Sequence, residues 1–310
     1  MKSKTETLTG DAPGLRLDQF LALRLPETSR SHWKTLIESG AVTVDGTARA
    51  ADYKLRGGEK IAVAAPSVGW ADPEALDGMI IHEDAKLLVL HKPAGLLMHP
   101  LGTTWLNRSE AALAEKEPNL AGLLQAARPS LAKVWRCGIV HRLDRQTSGV
   151  LLVAKTEEAQ ERLLEDFKER RVTKRYRAVV RGTPAEKTLR VEAPIGRKPG
   201  HRKVIVTPFG KEARTSFSVV DACPRAAVVE ARPLTGRTHQ IRAHLALVGH
   251  PVCGDVEFES AGAAPKAPRL MLHAHRIEFA HPGTKKPASF EAPVPKDMRE
   301  FWATCKKGGK

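Results

Sequence analysis

The sequence predicts an α+β protein in two parts, a small N-terminal α+β domain over residues 14–65 and a larger one over 79–305. The larger part is expected to be a mixed, largely antiparallel sheet with flanking helices. Three observations predict this. Apolar residues recur at helical spacing twice before residue 40 and then give way to short strand runs. Pro66, Gly69, Pro73 and Gly78 interrupt the chain over 66–78, which reads as a linker. Beyond it, short β-type runs broken by Gly and Pro predominate, the pattern of strands joined by turns. With 310 residues, 42% of them hydrophobic and 27% charged, the chain can fill two unequal hydrophobic cores.

In the first part, Leu17, Phe20, Leu21 and Leu25 share one face of a helix over 15–25. Trp33, Leu36 and Ile37 repeat the pattern over 31–39, and Gly40 ends it. Residues 41–44 read as a strand, Asp45-Gly46 as a tight turn and 59–64 as a later strand. Arg30, Lys34, Arg49, Lys54 and Arg56 give this unit a basic face.

In the second part, 79–82 and 87–91 are strand-like, and Lys92-Pro93-Ala94-Gly95 turns the chain. Residues 103–135 are rich in Ala and Leu and partly helical. A polar loop from His141 leads into 150–154, an apolar run of buried-strand character. Thr156 can cap the next helix, with Glu157 and Glu158 at its start and Lys168, Arg170 and Arg171 at its end, as the helix dipole favours. Residues 173–180 return as a strand placing Tyr176, Ala178 and Val180 on one side. Over 189–232, short β runs continue the sheet, and Lys198, His201, Arg202 and Lys203 form a basic loop, either solvated or touching phosphate. Residues 236–248 read as a helix with Ile241, Leu245 and Val248 facing the core, Arg237 at its start and Arg242 further along. Residues 295–304 form a short helix docking Phe301 and Trp302.

Lys and Arg outnumber Asp and Glu by 50 to 35, a net charge of +15, so polyanions are the natural partners and nucleic acid the first of them. Neither a basic amphipathic helix nor a lipidation motif points to a membrane, and no run approaches the roughly 18 apolar residues of a membrane span. Residues 1–13 lack the apolar core of a signal peptide, so a cytoplasmic protein is expected. Cys137, Cys223, Cys253 and Cys305 show no Cys-x-x-Cys spacing and are expected as reduced, packed thiols. His239, His244, His250, His273 and His275 complete no ligand spacing with a carboxylate or cysteine, so no metal is expected.

The most informative stretch is His141-Arg142-Leu143-Asp144, continued by Thr147-Ser148-Gly149-Val150. On local chemistry alone, Arg142 and Asp144 could be an ordinary surface ion pair. The motif resembles the signature of the pseudouridine synthases of the RluA/RluD type. Lys92-Pro93-Ala94-Gly95-Leu96, Lys174-Arg175-Tyr176 and the run from Thr235 to His244 resemble further blocks of that family, in its order. Residues 14–65 resemble the S-four-like RNA-binding domain, through the Leu17-Asp18 helix start, the Ser-Arg-Ser entry to the second helix and the Val42-x-Val44-Asp45-Gly46 hairpin.

The resemblance implies an RNA pseudouridine synthase that works without a cofactor. Asp144 would be its catalytic carboxylate and Arg242 the arginine pairing with it, with Arg237 the less favoured occupant of that role. Tyr176 would stack on the flipped base, and Arg142 would fill the space left by the extruded uridine. Leu272 is a candidate apolar wall. Arg30, Lys34, Arg49, Lys54, Lys198, Arg202 and Lys203 are the candidate RNA contacts outside the cleft, positioning phosphate without reading sequence. Large-subunit ribosomal RNA is the leading substrate, with transfer RNA as the alternative and a monomer as the expected state. Two other classes compete. A catalytically silent RNA-binding or assembly factor would keep the fold, against which stands the intact quartet Arg142, Asp144, Tyr176 and Arg242. A hydrolytic glycosidase would need two facing carboxylates, and Asp255, the nearest candidate for a second, reads as structural.

Overall fold

The computed structural model describes residues 6–25, 30–38, 40, 42–63, 73–100, 105, 112, 117–197, 203–258 and 266–307. They fall into two compact units, one comprising 1–78 with 99–137 and the other 79–98 with 138–310. Among them, no helix is long and apolar enough to cross a membrane.

In the first unit, β1 (Glu6–Gly10), β2 (Val42–Val44), β3 (Thr47–Ala48) and β4 (Glu59–Val63) form an antiparallel sheet in the order β1-β4-β2-β3. Helices α1 (Leu17–Arg24) and α2 (Arg30–Glu38) bury Leu17, Phe20, Leu21, Trp33, Leu36 and Ile37 with Val42, Val44 and Ile61. These are the stripes that the sequence marks. Strand β1, Glu-Thr-Leu-Thr-Gly, went unpredicted because nothing in it alternates strongly enough to announce a strand. Arg30, a candidate RNA contact, donates to buried Asp18 at 2.9 Å beside Arg16 at 3.0 Å, so part of its charge is spent holding the helix pair together.

The 103–135 region is helical in part, as expected, whereas the expected linker ends in a helix. Pro73–Asp77 is a helix, α3, and packs on α4 (Leu120–Ala127). Arg128 Nη2 reaches Asp77 Oδ1 at 2.8 Å. Buried Asn119 caps α4 by accepting the Gly122 N–H at 2.9 Å while donating to Ala112 O. The described part of 99–137, read as part of the larger domain, falls in the compact unit that holds the N-terminal residues.

The second unit is built on a nine-stranded sheet. Its strands are β5 (Ile80–Glu83), β6 (Leu87–Lys92), β7 (Ser148–Ala154), β8 (Thr173–Arg181), β9 (Thr188–Glu192), β12 (Arg214–Cys223), β13 (Ala226–Pro233), β14 (Leu272–Ala280) and β15 (Pro287–Glu291). They lie in the order β5-β6-β7-β14-β8-β13-β12-β9, with β15 paired to β14. Every pairing is antiparallel except that of β7 with β14. Every residue of β7 is buried, as its unbroken apolar run requires. Helix α5 (Glu157–Lys168) starts on Thr156, whose hydroxyl accepts the Ala159 N–H at 3.3 Å, and packs on β7. A separate two-stranded sheet, β10 (Ile195–Arg197) and β11 (Val204–Val206), lies against α6 (Gln240–Leu247). The last helix, α7 (Lys296–Lys306), buries Met298, Phe301 and Cys305.

Candidate active site

The loop that carries Asp144 is fixed from three sides. Behind it, the Leu152 N–H of β7 donates to His141 Nε2 at 2.9 Å, and the His141 ring packs on Phe167 of α5 at 4.8 Å between centroids. Burial pushes the His141 pKa down to about 3, so the neutral ring that can accept this bond is the stable form. Below, the Lys92 turn grips the loop: the Gly95 N–H donates to Arg145 O at 2.8 Å, and Arg145 Nε returns a bond to Gly95 O at 3.1 Å. Lys92 itself is fully buried, and its Nζ donates to the carbonyls of Pro93, Leu96 and Arg145 at 2.8, 2.9 and 3.2 Å. Burial pushes its pKa down to about 7 while the Asp144 charge works the other way, and three acceptors match the three N–H bonds of the ammonium form. Ahead, Ser148 donates to Nδ1 of buried His273 at 2.9 Å, the His273 Nε2–H being directed at Ala292 O.

Asp144 faces Arg242 across a cleft, with Oδ2 3.4 Å from Arg242 Nη1. The Arg242 guanidinium is nearly all buried and is clamped in bidentate fashion by Asp255, at 2.6 Å to Nε and 2.7 Å to Nη2. Asp255 also accepts the N–H groups of Glu257 and Phe258, and Glu257 Oε2 lies 3.3 Å from Arg242 Nη2. Burial alone would lower the Arg242 pKa, but Asp255, then Asp144 and Glu257, outweigh it and raise it. One Nη is thereby left to address Asp144 from a direction that Asp255 sets. His239 adds a second neighbour, its Nε2 3.8 Å from Asp144 Oδ1 and its Nδ1 2.9 Å from Glu257 Oε2, the latter without the alignment of a hydrogen bond.

Arg142, Asp144, Tyr176, Arg237, Arg242 and Leu272 all line one cleft of about 460 Å³. Among the described residues, Asp144 pairs with Arg242 and His239, and the surface ion pair with its neighbour Arg142 is not formed; Arg142 stands exposed at the cleft. Tyr176 lies on β8, and burial, with the Asp144 charge second, pushes its hydroxyl well above the usual tyrosine range. It presents a neutral ring. Leu272 opens β14 and is buried.

Arg237 precedes α6, because the helix expected over 236–248 begins only at Gln240. Gln240 Oε1 accepts from the Thr235 hydroxyl at 2.7 Å and the Arg237 N–H at 3.0 Å, and His239 takes a left-handed conformation. Arg237 Nε donates to Glu212 O at 3.0 Å, which directs it away from the Asp144 pairing.

Sequence reasoning missed the clamp by Asp255, and it missed Lys174, a cleft-lining cation whose pKa burial lowers. The alternation that marks Tyr176 on β8 also marks Lys174, two residues before it on the same face. Arg49 lies over the Tyr53 ring at 5.1 Å, Lys34 pairs loosely with Glu38 at 3.9 Å, and Lys54 stays in the first unit with them. Lys198 and Arg202 lie outside the described residues. Lys203 precedes β11, with Nζ 5.8 Å from the Phe258 ring centre.

Among the described residues, one group has the proximity of metal ligands, His82, Asp84 and His281. His281 Nδ1 accepts the N–H groups of Gly283 and Thr284, which places its proton on Nε2, directed at Asp84 Oδ2 at 2.8 Å. An ion would need that nitrogen bare, so the geometry suits a hydrogen-bonded carboxylate better than a metal. Burial would raise the Asp84 carboxyl, but the bonds from His82, the Lys86 and Leu87 N–H groups and His281 hold it well below the usual range.

Residues 86–247 match the family described as RNA pseudouridylate synthase, and residues 15–61 match the S4 domain. A Nitrosomonas europaea protein named ribosomal large subunit pseudouridine synthase D is 39% identical over 303 residues, 94% of this chain and 85% of that one. Ribosomal large subunit pseudouridine synthase C of Vibrio vulnificus is 35% identical over 306 residues, 94% of this chain and 92% of the relative. Among solved structures, human RNA pseudouridylate synthase domain containing 1 superposes with a TM-score of 0.56 at 28% identity, over 72% of this chain and 85% of that one.

Proposed function

The chain belongs to the RNA pseudouridylate synthase family, and from that premise we propose that it converts specific uridines of large-subunit ribosomal RNA to pseudouridine, with Asp144 as the catalytic carboxylate. The observation that carries the reading is the pairing of Asp144 with Arg242, itself locked by buried Asp255, inside a cleft of about 460 Å³. The names of the relatives support ribosomal RNA as the substrate.

The reaction breaks the bond between uracil N1 and ribose C1′, turns the base, and joins C5 to C1′. The C5 hydrogen leaves as a proton and N1 gains one, so nothing is consumed. Asp144 stands where a carboxylate can act on the nucleotide as that bond breaks, and Arg242 fixes its direction with a charge-assisted contact. Tyr176 offers a neutral ring on which the detached base can stack while it turns. Leu272 keeps water from the same space. Arg142, exposed at the cleft, can occupy the gap left in the RNA by a flipped uridine. Each of these groups comes from one unit of one chain, so the reading requires neither a second subunit nor a metal, and a cytoplasmic monomer meets it. Residues 14–65 serve as an RNA-holding module through Arg30, Lys34, Arg49 and Lys54, with 79–305 carrying the chemistry.

The test is a site-resolved pseudouridine map of ribosomal and transfer RNA from cells lacking the protein, complemented with the unaltered chain or with Asp144→Asn. Specific ribosomal pseudouridines should vanish and return only with the unaltered chain. Asp144→Asn, which removes charge but hardly any volume, should keep its affinity for RNA. Restoration by that variant would remove Asp144 from the chemistry, and loss confined to transfer RNA would reassign the substrate.

A further inference from the structure

The small sheet of β10 and β11 carries a side chain that the fold does not need. Phe209 is 96% exposed. It sits in the turn Thr207-Pro208-Phe209-Gly210, closed by the Gly210 N–H donating to Thr207 O at 2.9 Å. Proline in the second position of such a turn fixes the backbone, and the third position favours small polar residues, so turn chemistry does not call for phenylalanine. Left in water, the ring forgoes the roughly 1.5–3 kcal/mol that burial of a large apolar side chain brings.

The turn is also rigidly mounted. The Thr207 N–H donates to Pro194 O at 2.9 Å, and Ile195 and Lys211 exchange a pair of backbone hydrogen bonds, both 2.9 Å. A Cβ on Gly210 would fall 2.4 Å from the Ile195 carbonyl carbon, so only glycine lets the turn lie flush on β10. Beneath it Ile195, Val204 and Ala213 pack on Ala243 of α6.

Cations flank this sheet, with Arg197 and Lys203 at one end of the β10–β11 pairing and Lys211 beside Ile195 at the other. Arg197, Lys203 and Lys211 are all exposed, and among the described residues none of them forms an ion pair. The nearest acid in sequence, Glu212, is engaged by Arg214 at 2.7 Å and Arg170 at 3.8 Å. The base of the sheet adjoins the cleft, since the Phe258 ring lies between Lys203 at 5.8 Å and Arg242 at 5.3 Å. A rigid exposed aromatic among unpaired cations is the surface that single-stranded nucleic acid fits, the ring stacking on a base and the cations holding its phosphates.

Resting on the assignment of RNA as the substrate, we propose that this sheet is a second RNA-binding surface, in which Phe209 stacks on an unpaired base outside the cleft while Arg197, Lys203 and Lys211 hold the adjoining backbone. The test titrates the full-length protein, Phe209→Ala and Phe209→Trp with two probes, an unmodified transcript of large-subunit ribosomal RNA and a short RNA duplex without unpaired bases. Phe209→Ala should bind the transcript about 5- to 150-fold more weakly, the range for loss of one stacked base, and the duplex as before, with an unchanged urea midpoint. Phe209→Trp should restore transcript binding, and its fluorescence, measured against that of the unaltered protein, should be quenched by the transcript and not by the duplex. Unchanged transcript affinity in Phe209→Ala, or an equal loss for both probes, would overturn the stacking role. Retained RNA affinity with impaired co-sedimentation with assembling large subunits would assign the surface to a protein instead. If the unaltered protein binds neither probe, the RNA assignment fails and this surface with it; if it binds while Asp144→Asn still restores the pseudouridine map, the catalytic reading fails alone.

Discussion

At the scale of single residues, the site depends on a side chain that sequence reading treats as structural. Asp255 follows a glycine, stands next to no motif and is thirteen residues from the arginine it holds, so only the folded chain reveals the clamp. Asp144, by contrast, could be singled out from the sequence, because the motif around it and the flanking blocks resemble a known arrangement, whereas local chemistry alone allowed an ordinary surface ion pair. Asp255→Asn keeps the shape but removes the charge that faces the buried guanidinium. Breaking a buried pair in this way costs about 3–5 kcal/mol, and Arg242 then turns toward Glu257 and Asp144 for compensation. The expected outcome is a lower urea midpoint together with a fall in kcat of at least roughly 10-fold, with KM for RNA nearly unchanged, since the broken interaction is not one with substrate. Single-turnover kinetics at a temperature where the variant stays folded separates the two effects. An unchanged kcat would show that Asp255 only supports the fold.

At the scale of elements, the strand that presents the Asp144 loop was readable and its neighbour was not. The run Val150 to Ala154 announces a buried strand, but no local signal says that it runs parallel to β14, more than a hundred residues later, inside an otherwise antiparallel sheet. Nor could the start of α6 be read correctly. Gln240 looks like an ordinary helix residue, yet its side chain ties down the preceding turn, so that Arg237 and His239 approach the cleft from a loop. The parallel pairing depends on Gly149, where an added Cβ would meet Ala274 O at 2.2 Å and Ala274 N at 2.5 Å. Gly149→Ala should therefore separate β7 from β14 and destabilise the protein by about 4 kcal/mol or more, visible as a lower urea midpoint or as loss of soluble protein. Gly46→Ala is the matching control. It too has a positive φ, +74°, but nothing lies within 4 Å of its would-be Cβ, so the backbone strain of about 1–2 kcal/mol is all that is expected. Equal effects of the two substitutions would mean that close approach of the strands contributes nothing.

At the scale of the whole molecule, composition foretold a partner class but not how the cations are used. The net charge of +15 points to a polyanion, yet the structure spends several of its cations internally: Arg30 on Asp18, Arg242 on Asp255, Lys92 on three carbonyls, and Arg269 on Asp297 at 2.6 Å. Which cations remain free cannot be read from a sequence, because it depends on contacts between distant residues. Among the described residues, exposed cations such as Arg142 at the cleft, Arg197, Lys203 and Lys211 on the small sheet, and Lys54 on the first unit are placed where they can displace counterions from a polyanion. If on the order of five phosphates are neutralised, log K should fall with log salt with a slope of about −3.5 to −4.5, so raising salt from 50 to 200 mM should weaken binding roughly 100- to 500-fold. Replacing Lys211 and Arg197 with glutamine should flatten that slope by about 0.7–0.9 for each phosphate no longer neutralised, whereas Phe209→Ala should weaken binding at every salt concentration and leave the slope alone, because stacking releases no counterions. Titration of the ribosomal transcript across this salt range separates the two kinds of interaction. A slope near zero in the unaltered protein would mean that the excess charge serves something other than RNA, whereas a steep slope unaffected by Lys211 and Arg197 would locate the phosphate-binding cations on other faces of the molecule.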